Sequence, residues 1–459
     1  MKRKGIVGIL PFLLPATGFG LTLDEAYRTV VDTNPEIRER IENYRAVEQD
    51  RTIAYADYLP VLDVQGAVGY AHLEGSVEHR NYEDNKGDDF LQTQAFIRAR
   101  ENLFRGFSTM NDVAQQDSRL LSAQHALMEK VSQLGLEMVE SYLEVLKQKQ
   151  VYVLTVENRD THRLYYSMIK ERVEAGAGTQ ADMEQISGRL ALAESNVKVA
   201  MNNFEDAQTN FKRIYGEAVD PDEMMEAVIN ASLQPSSLEE AEKTAVLRYP
   251  TLMADRKNVE AAQAAYKEAR KNYYPWVDLE VKQTHTNNDQ TDDIAWRTPA
   301  GDENEFSAML IASWNLYNGG ADVAKREKAL AESFNASEKM LQDQRLVFER
   351  LNYSWAAKKR IAEQLNYLKQ HRDFTKKTLE AYNEEFRLGR RTLLDVLDVE
   401  NEYYTSRKAY VTALYDEQLA EYRVIENVGN LPLVAEVKPE EILSLERNAM
   451  VSTEVNASN

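Results

Sequence analysis

Leu388-Gly389-Arg390-Arg391-Thr392-Leu393-Leu394-Asp395-Val396-Leu397-Asp398-Val399 is the stretch whose reading decides the fold. A long helical pattern runs into it and another runs out. Gly389 ends the first helix, because glycine enters a left-handed C-cap without steric cost. Thr392 followed by Asp395 has the spacing of a capping box for the next helix. Asp395 and Asp398 then share one helical face, since i and i+3 are neighbours. The same punctuation stands at Gly176-Ala177-Gly178-Thr179-Gln180-Ala181-Asp182. Gly389 follows Gly176 by 213 residues, and Asp395 follows Asp182 by the same interval. Two helical hairpin tips on one chain point to an internal duplication.

Other landmarks keep that interval to within two residues. Asn34-Pro35 and Tyr249-Pro250 break helical patterns; Pro60 and Pro275 open alternating stretches. Asn102-Leu103-Phe104-Arg105-Gly106 matches Asn315-Leu316-Tyr317-Asn318-Gly319, and Gly216 and Gly429 close the copies. Each half reads helix, strand, loop, strand, long helix, tip, helix. The expected organisation is a signal segment at 1–20, a first repeat at 21–232, a second at 233–430 and a polar tail at 431–459 without a clear element.

The signal reading rests on Lys2, Arg3 and Lys4 before a short apolar run, Gly5 to Leu14, with Gly18 and Gly20 as small residues for cleavage. That run is too short to cross a bilayer, and no later run of about 18 apolar residues follows. The chain has no cysteine, which excludes disulfides, thiolate metal sites, cysteine nucleophiles and a lipidated cysteine. Its net charge of −20 argues against nucleic acid, which needs basic patches.

Leu62, Val64, Val68 and Tyr70 alternate with Asp63, Gln65, Ala67 and Gly69. Leu91, Ala95, Ile97 and Ala99 alternate with Gln92, Gln94, Arg98 and Arg100, and Ala308, Leu310, Ala312 and Trp314 share a face in the second half. This is the period of a strand. Acidic loops are expected between the strands, at 76–89 and at 286–305. Four strands of about 15 residues are long enough to cross a bilayer but too few to close a pore, and unpaired backbone in lipid is costly. The chain therefore predicts an oligomer, and three copies would supply twelve strands. A soluble antiparallel sheet with one wet face gives the same alternation. In the helices, Val396, Tyr403 and Tyr410 recur at seven, as do Leu397, Tyr404 and Val411, which is coiled-coil periodicity. A helical bundle shares it.

Taken in order, the duplicated breaks, the strand-opening prolines, Leu316-Tyr317-Asn318-Gly319-Gly320 and the Gly389–Asp398 tip resemble the TolC family of outer-membrane export ducts, over about Leu21 to Gly429. The resemblance implies an α+β membrane protein. It implies a homotrimer whose twelve-stranded transmembrane β-barrel is continued by a periplasmic α-helical coiled-coil tunnel. It implies docking to a periplasmic adaptor and, through it, to an inner-membrane ABC exporter or proton-driven pump. On the matching positions, Asp395 and Asp398 would form two aspartate rings at a periplasmic gate. Such rings favour cations, and crowded carboxylates raise one another's pKa. Arg391 and Asp182 would form an ion pair between neighbouring hairpins. A tyrosine of the family's gate is replaced here by Phe386.

Asp182 and Asp395 also serve a plainer purpose, capping helices behind Thr179 and Thr392. The duplication separates the two uses. Asp398 matches Gln185 and Arg391 matches Gly178, so these two differ between copies and suit an asymmetric gate. Gly176, Gly178, Thr179, Gly389 and Thr392 make the turns. No cofactor or metal is expected: the six histidines are scattered, and neither a zinc-binding H-E-x-x-H nor a G-x-S-x-G elbow is present. The expected function is a passive conduit for type I protein secretion, with a multidrug efflux outlet as the alternative. A periplasmic coiled-coil scaffold is the reading of a different class; an enzyme is not expected.

Overall fold

The computed structural model describes residues 20–73, 88–289 and 301–445. The expected signal segment, most of the first acidic loop, the centre of the second and the last part of the tail lie outside the described residues. The elements run α1 (Leu23–Thr33), α2 (Pro35–Ala56), β1 (Val61–Leu73), β2 (Asp88–Arg105), α3 (Ser108–Glu174) and α4 (Gln180–Tyr215). The second pass runs α5 (Leu238–Arg248), α6 (Pro250–Glu268), β3 (Trp276–Asp289), β4 (Gly301–Ser313), α7 (Ala321–Arg387) and α8 (Leu393–Asn427), followed by a short α9 (Pro439–Leu443). The duplicated order is the one the landmarks predict.

Two compact units divide the chain. One takes the chain through Ile41, Leu127–Pro250 and everything from Arg345; the other takes Glu42–Ala126 and Thr251–Gln344. Each draws equivalent pieces from both repeats, so the repeats are units of sequence and not of packing.

The second unit holds a four-stranded antiparallel sheet in the order β1-β2-β3-β4. Its register sets Val64 opposite Ile97, Ala99 opposite Val281 and Leu279 opposite Leu310. The apolar sets of the strands therefore share one face. That face is bare: Val64 is 78% exposed, Ile97 59% and Leu310 66%. On the other face Arg98 binds Asp63 at 2.7 Å and approaches Glu280 at 4.0 Å, beside Gln65 and Gln94. The expected loop at 286–305 is shorter than read. β3 reaches Asp289 and β4 starts at Gly301, with Asn287 Nδ2 donating to Asp302 Oδ1 at 2.6 Å. Hydropathy loses this hairpin end because its residues are polar on both faces.

The first unit holds the main core. Tyr27 and Val30 of α1, Leu134 and Met138 of α3, Phe211 of α4 and Ile425 of α8 are buried together. The Tyr142 hydroxyl lies 2.7 Å from the carbonyls of both Leu21 and Met225, beside the backbone bridge between Leu21 and Met224. The tail corrects the expectation of no clear element from 431. A 3-10 turn at Leu431–Leu433 and α9 deliver Leu431, Ala435, Val437 and Ile442 into this same core. Four apolar residues scattered among polar ones carry no period, so only packing reveals them.

Candidate functional site

Both hairpin tips lie in the first unit and are built alike. At the end of α3 the Gly176 N–H bonds the Val173 carbonyl at 3.0 Å and Ala177 N–H the Arg172 carbonyl at 2.8 Å. At the end of α7 the bonds are Gly389 to Phe386 at 3.0 Å and Arg390 to Glu385 at 2.8 Å. This paired pattern closes a helix through a left-handed residue, and Gly176 and Gly389 have φ of 75° and 73°. Thr179 and Thr392 then cap the outgoing helices. The Thr392 hydroxyl donates to Asp395 Oδ2 at 2.8 Å while Asp395 N–H donates back at 3.3 Å; Thr179 and Asp182 repeat this at 2.7 and 3.1 Å.

The four helix ends meet around an apolar cluster. Tyr165 and Ile169 of α3, Ile186 of α4, Phe386 of α7, and Leu393, Val396 and Leu397 of α8 are buried in it. Phe386, at the tyrosine position of the resemblance, is one of its rings, with the Arg172 guanidinium 5.5 Å above it. The Tyr165 hydroxyl donates to Asn383 at 2.6 Å and so ties α3 to α7 nearby.

The expected charged residues fall out differently from one another. Arg391 and Asp182 are not joined within the protomer: Arg391 Nε donates to Glu385 at 2.7 Å, and its guanidinium lies 4.1 Å from the Tyr382 ring centre. The carboxylate six residues back is within reach as the chain reverses, whereas Asp182 is engaged by its own cap. Gly178, the equivalent of Arg391, has no room for a side chain, since a Cβ there would lie 2.9 Å from Val173 Cγ2. Asp395 is held below the usual carboxylate range, first by the Thr392 hydroxyl, then by the Thr392 N–H, with Arg391 adding to both. Within the protomer this is opposite in direction to the rise expected of crowded carboxylates. Asp398 caps nothing. Its Oδ1 accepts from Arg189 Nη2 at 2.9 Å, across from α8 to α4.

Sequence reading missed Arg189, Glu385, Tyr382 and Arg172. It also missed Glu400, buried on α8, whose carboxyl burial pushes up against the opposing pull of Arg407. Arg189 carried a legible signal, because its equivalent in the second copy is Glu402, a reversal of sign; Arg172 and Glu385, equivalents of one another, carried the same signal. Further from the tip, α3 and α8 are joined by Glu157–Arg407 at 2.7 Å, Thr155–Tyr404 at 2.9 Å and Glu140–Arg423 at 2.8 Å. Among the described residues no helix is long and apolar enough to cross a membrane, and no group of three or more histidines and acids is arranged to hold a metal ion.

These features can be set against known proteins. The model of the family described as "Outer membrane efflux protein" matches residues 26–217 and 243–430, one segment for each repeat. The outer membrane efflux protein BepC of Brucella suis is 24% identical over 351 residues, 75% of each chain. The proteases secretion protein PrtF of Dickeya chrysanthemi is 19% identical over 422 residues, 90% of each. Among solved structures, the CmeC outer membrane channel of Campylobacter jejuni superposes with a TM-score of 0.75 at 13% identity, covering 93% of this chain and 90% of its own. The duplicated helical hairpins and four-stranded sheet are thus the fold of an outer-membrane channel, and the chain belongs to the outer membrane efflux protein family, that of the TolC ducts, whose members are export channels and not enzymes.

Proposed function

We propose that three copies of the chain close a twelve-stranded barrel in the outer membrane, and that their helical hairpins line a periplasmic duct gated at the tips. The observation that carries this reading is the sheet. Its apolar face is exposed, and β1 and β4 each have an edge that no described strand pairs. Unpaired edges in hydrocarbon cost several kcal/mol per backbone group, so such a sheet needs further copies to close it. The helices support the same conclusion. Leu346, Tyr353, Tyr367 and Phe374 follow a heptad interval along α7 and are exposed, as are Leu192 and Val199, seven apart on α4. A second copy of the chain is the occupant that would cover both stripes, in a head-to-tail contact that closes into a ring.

The assignment makes the two sheet faces unequal. Val64→Arg places a charge on the lipid face and is expected to cost about 2–4 kcal/mol per protomer near the bilayer centre. Gln94→Arg, on the polar face, is expected to be tolerated. Outer-membrane fractionation and heat-modifiable migration of both variants check this; equal behaviour would sink the barrel.

At the tips, Asp395 and Asp398 would supply two carboxylate rings, and Arg391 would meet Asp182 of a neighbouring hairpin between protomers. Asp395→Asn with Asp398→Asn is expected to lower cation selectivity in planar bilayers, and Arg391→Ser to raise closed-state conductance. Unchanged currents in both would remove the gate from these residues. The partners of this reading are a periplasmic adaptor and an inner-membrane ABC exporter.

Secretion of protein is the favoured cargo, supported by the likeness to PrtF along nine-tenths of both chains. The likeness to BepC favours efflux as the second reading. A deletion strain separates them: loss of a large protein from the medium supports secretion, and sensitivity to hydrophobic drugs supports efflux.

A further inference from the structure

The polar face of the sheet carries a charge pattern that stability alone does not favour. Its register sets Arg98 of β2 directly opposite Lys282 of β3, and Arg100 opposite Glu280. Like charges directly opposite one another destabilise a strand pair. The acids of this patch do not relieve the cations evenly. Asp63 binds Arg98 at 2.7 Å, and Glu280 approaches the same guanidinium at 4.0 Å. Among the described residues neither Arg100 nor Lys282 has an ion-pair partner. The Lys282 ammonium stands instead 4.7 Å from the centre of the Phe96 ring, which the Arg98 guanidinium approaches to 5.6 Å. An aromatic ring steadies a cation without neutralising it, because it brings no formal charge.

The duplication shows that these cations are particular to the two central strands. Arg98 and Arg100 precede Asn102 as Ile311 and Ser313 precede Asn315, and Lys282 follows Pro275 as Ala67 follows Pro60. On the same face the register places acids on either side of the patch. Asp278 lies on the row towards the start of β3, and Glu305 and Glu303 lie opposite Thr284 and Thr286, on the rows towards Asp289. In a chain of net charge −20, each protomer thus sets three cations against two acids in one band between acidic rows.

We propose that Lys282 and Arg100 form, on each protomer, an anion site inside the barrel that takes the carboxylates of an acidic peptide segment passing through it, with Arg98 as the residue that keeps Asp63 and Glu280 from neutralising them. This rests on the barrel reading above, which turns the polar face towards the lumen. A guanidinium takes a carboxylate through two parallel N–H bonds, and an ammonium takes it as a point charge. Phe96 offers apolar surface to the neighbouring side chains of the segment. Three copies repeat the site round the lumen at one level. Single exposed charge contacts are weak, so the site retains an extended segment that makes several of them together and lets a small anion pass.

The experiment is a set of planar-bilayer recordings on the full-length native protein, on Lys282→Gln with Arg100→Gln, and on Glu280→Gln, with hexaglutamate added on the outer side at about 0.1 M salt. Heat-modifiable migration shows that each variant is assembled. A native protein that carries no current overturns the barrel reading itself. Given native current, hexaglutamate is expected to block it, and hexaglutamine, of the same length without the charge, is not. The double variant is expected to raise the half-blocking concentration about tenfold, the loss of a few exposed charge contacts made together. Glu280→Gln removes an acid from the patch and is expected to lower that concentration about threefold. A merely structural role for these residues would weaken block and not strengthen it. Where the double variant does not assemble, Glu280→Gln decides alone. Raising the salt to about 1 M is expected to remove the difference between the native protein and the variants. Native current that hexaglutamate leaves unblocked, equal block by hexaglutamine, an unchanged half-blocking concentration in the double variant, or unchanged or weaker block in Glu280→Gln would each overturn the site.

Discussion

Gly135→Ala is expected to destabilise the first unit by about 2 kcal/mol or more, although helix propensity alone predicts a gain of about 1 kcal/mol. Gly135 lies inside α3, where alanine is the better helix former. The obstacle is tertiary. A Cβ at this position would lie 2.2 Å from Cζ of Tyr27, 2.3 Å from its hydroxyl and 2.6 Å from Cε2. Tyr27 cannot retreat, because it is fully buried in the core and its hydroxyl donates to the Val131 carbonyl at 3.1 Å. Overpacking of a buried ring therefore outweighs propensity. Tyr27→Ala alone is expected to cost about 3–5 kcal/mol through the cavity it leaves. In the double variant the two costs should not add, since the alanine ring loss opens the space the new methyl needs. Urea midpoints in detergent, followed by far-UV circular dichroism, give the comparison. Additive losses would show that Gly135 is not there to seat Tyr27.

Glu426→Gln carries the second large effect, and its sign depends on pH. Glu426 lies near the end of α8, buried, and accepts from the Tyr249 hydroxyl at 3.2 Å. Burial pushes its carboxyl up to about 7, with Glu129 adding and the Tyr249 hydroxyl and Arg350 opposing. It lines a cleft of about 820 Å³ that also receives Glu137 and Glu140 from α3, Arg350 from α7, and Asp416 and Arg423 from α8. A carboxyl whose folded value lies above its unfolded one holds its proton more tightly when folded. Its contribution is fully present below the unfolded value near 4.5 and is lost as the pH rises through about 7. The native protein should thus lose about 2–3 kcal/mol from this group between pH 4.5 and pH 8. Glutamine keeps an acceptor for Tyr249 and cannot ionise. The variant should match native protein near pH 5 and exceed it near pH 8. Thermal midpoints across that range decide it, and parallel curves for the two proteins would rule out a buried, titrating Glu426.

The two predictions show where sequence reading stopped. Gly135 was legible only as the lone glycine of a long helical run, and Tyr27 lies 108 residues before it. Glu426 reads as one acid among many in an acidic chain, and Tyr249 as the residue before a proline. In each case the chemistry comes from a neighbour that no local period announces. The tail is a similar case, since Leu431 and Ile442 acquire meaning only from the core that receives them. At the tip the outcome was mixed. The turns and caps at Gly176, Thr179, Gly389 and Thr392 lie where their spacing puts them, because a glycine C-cap and a threonine capping box are made by residues three or four apart. Arg391 and Asp398 found partners, Glu385 and Arg189, that local spacing did not suggest.

What the sequence by itself determined is what depends on short range and repetition: the duplicated order of elements, the hairpin tips, and the alternation that gives the sheet one apolar and one polar face. Hydrogen bonds within a turn and the two-residue period of a strand are set by neighbours along the chain. Only the tertiary structure decided which charges are paired, which carboxyl resists ionisation and which glycine admits no side chain. Those properties depend on burial and on distances between segments as much as 283 residues apart, as Glu140 and Arg423 are, and no local pattern encodes them.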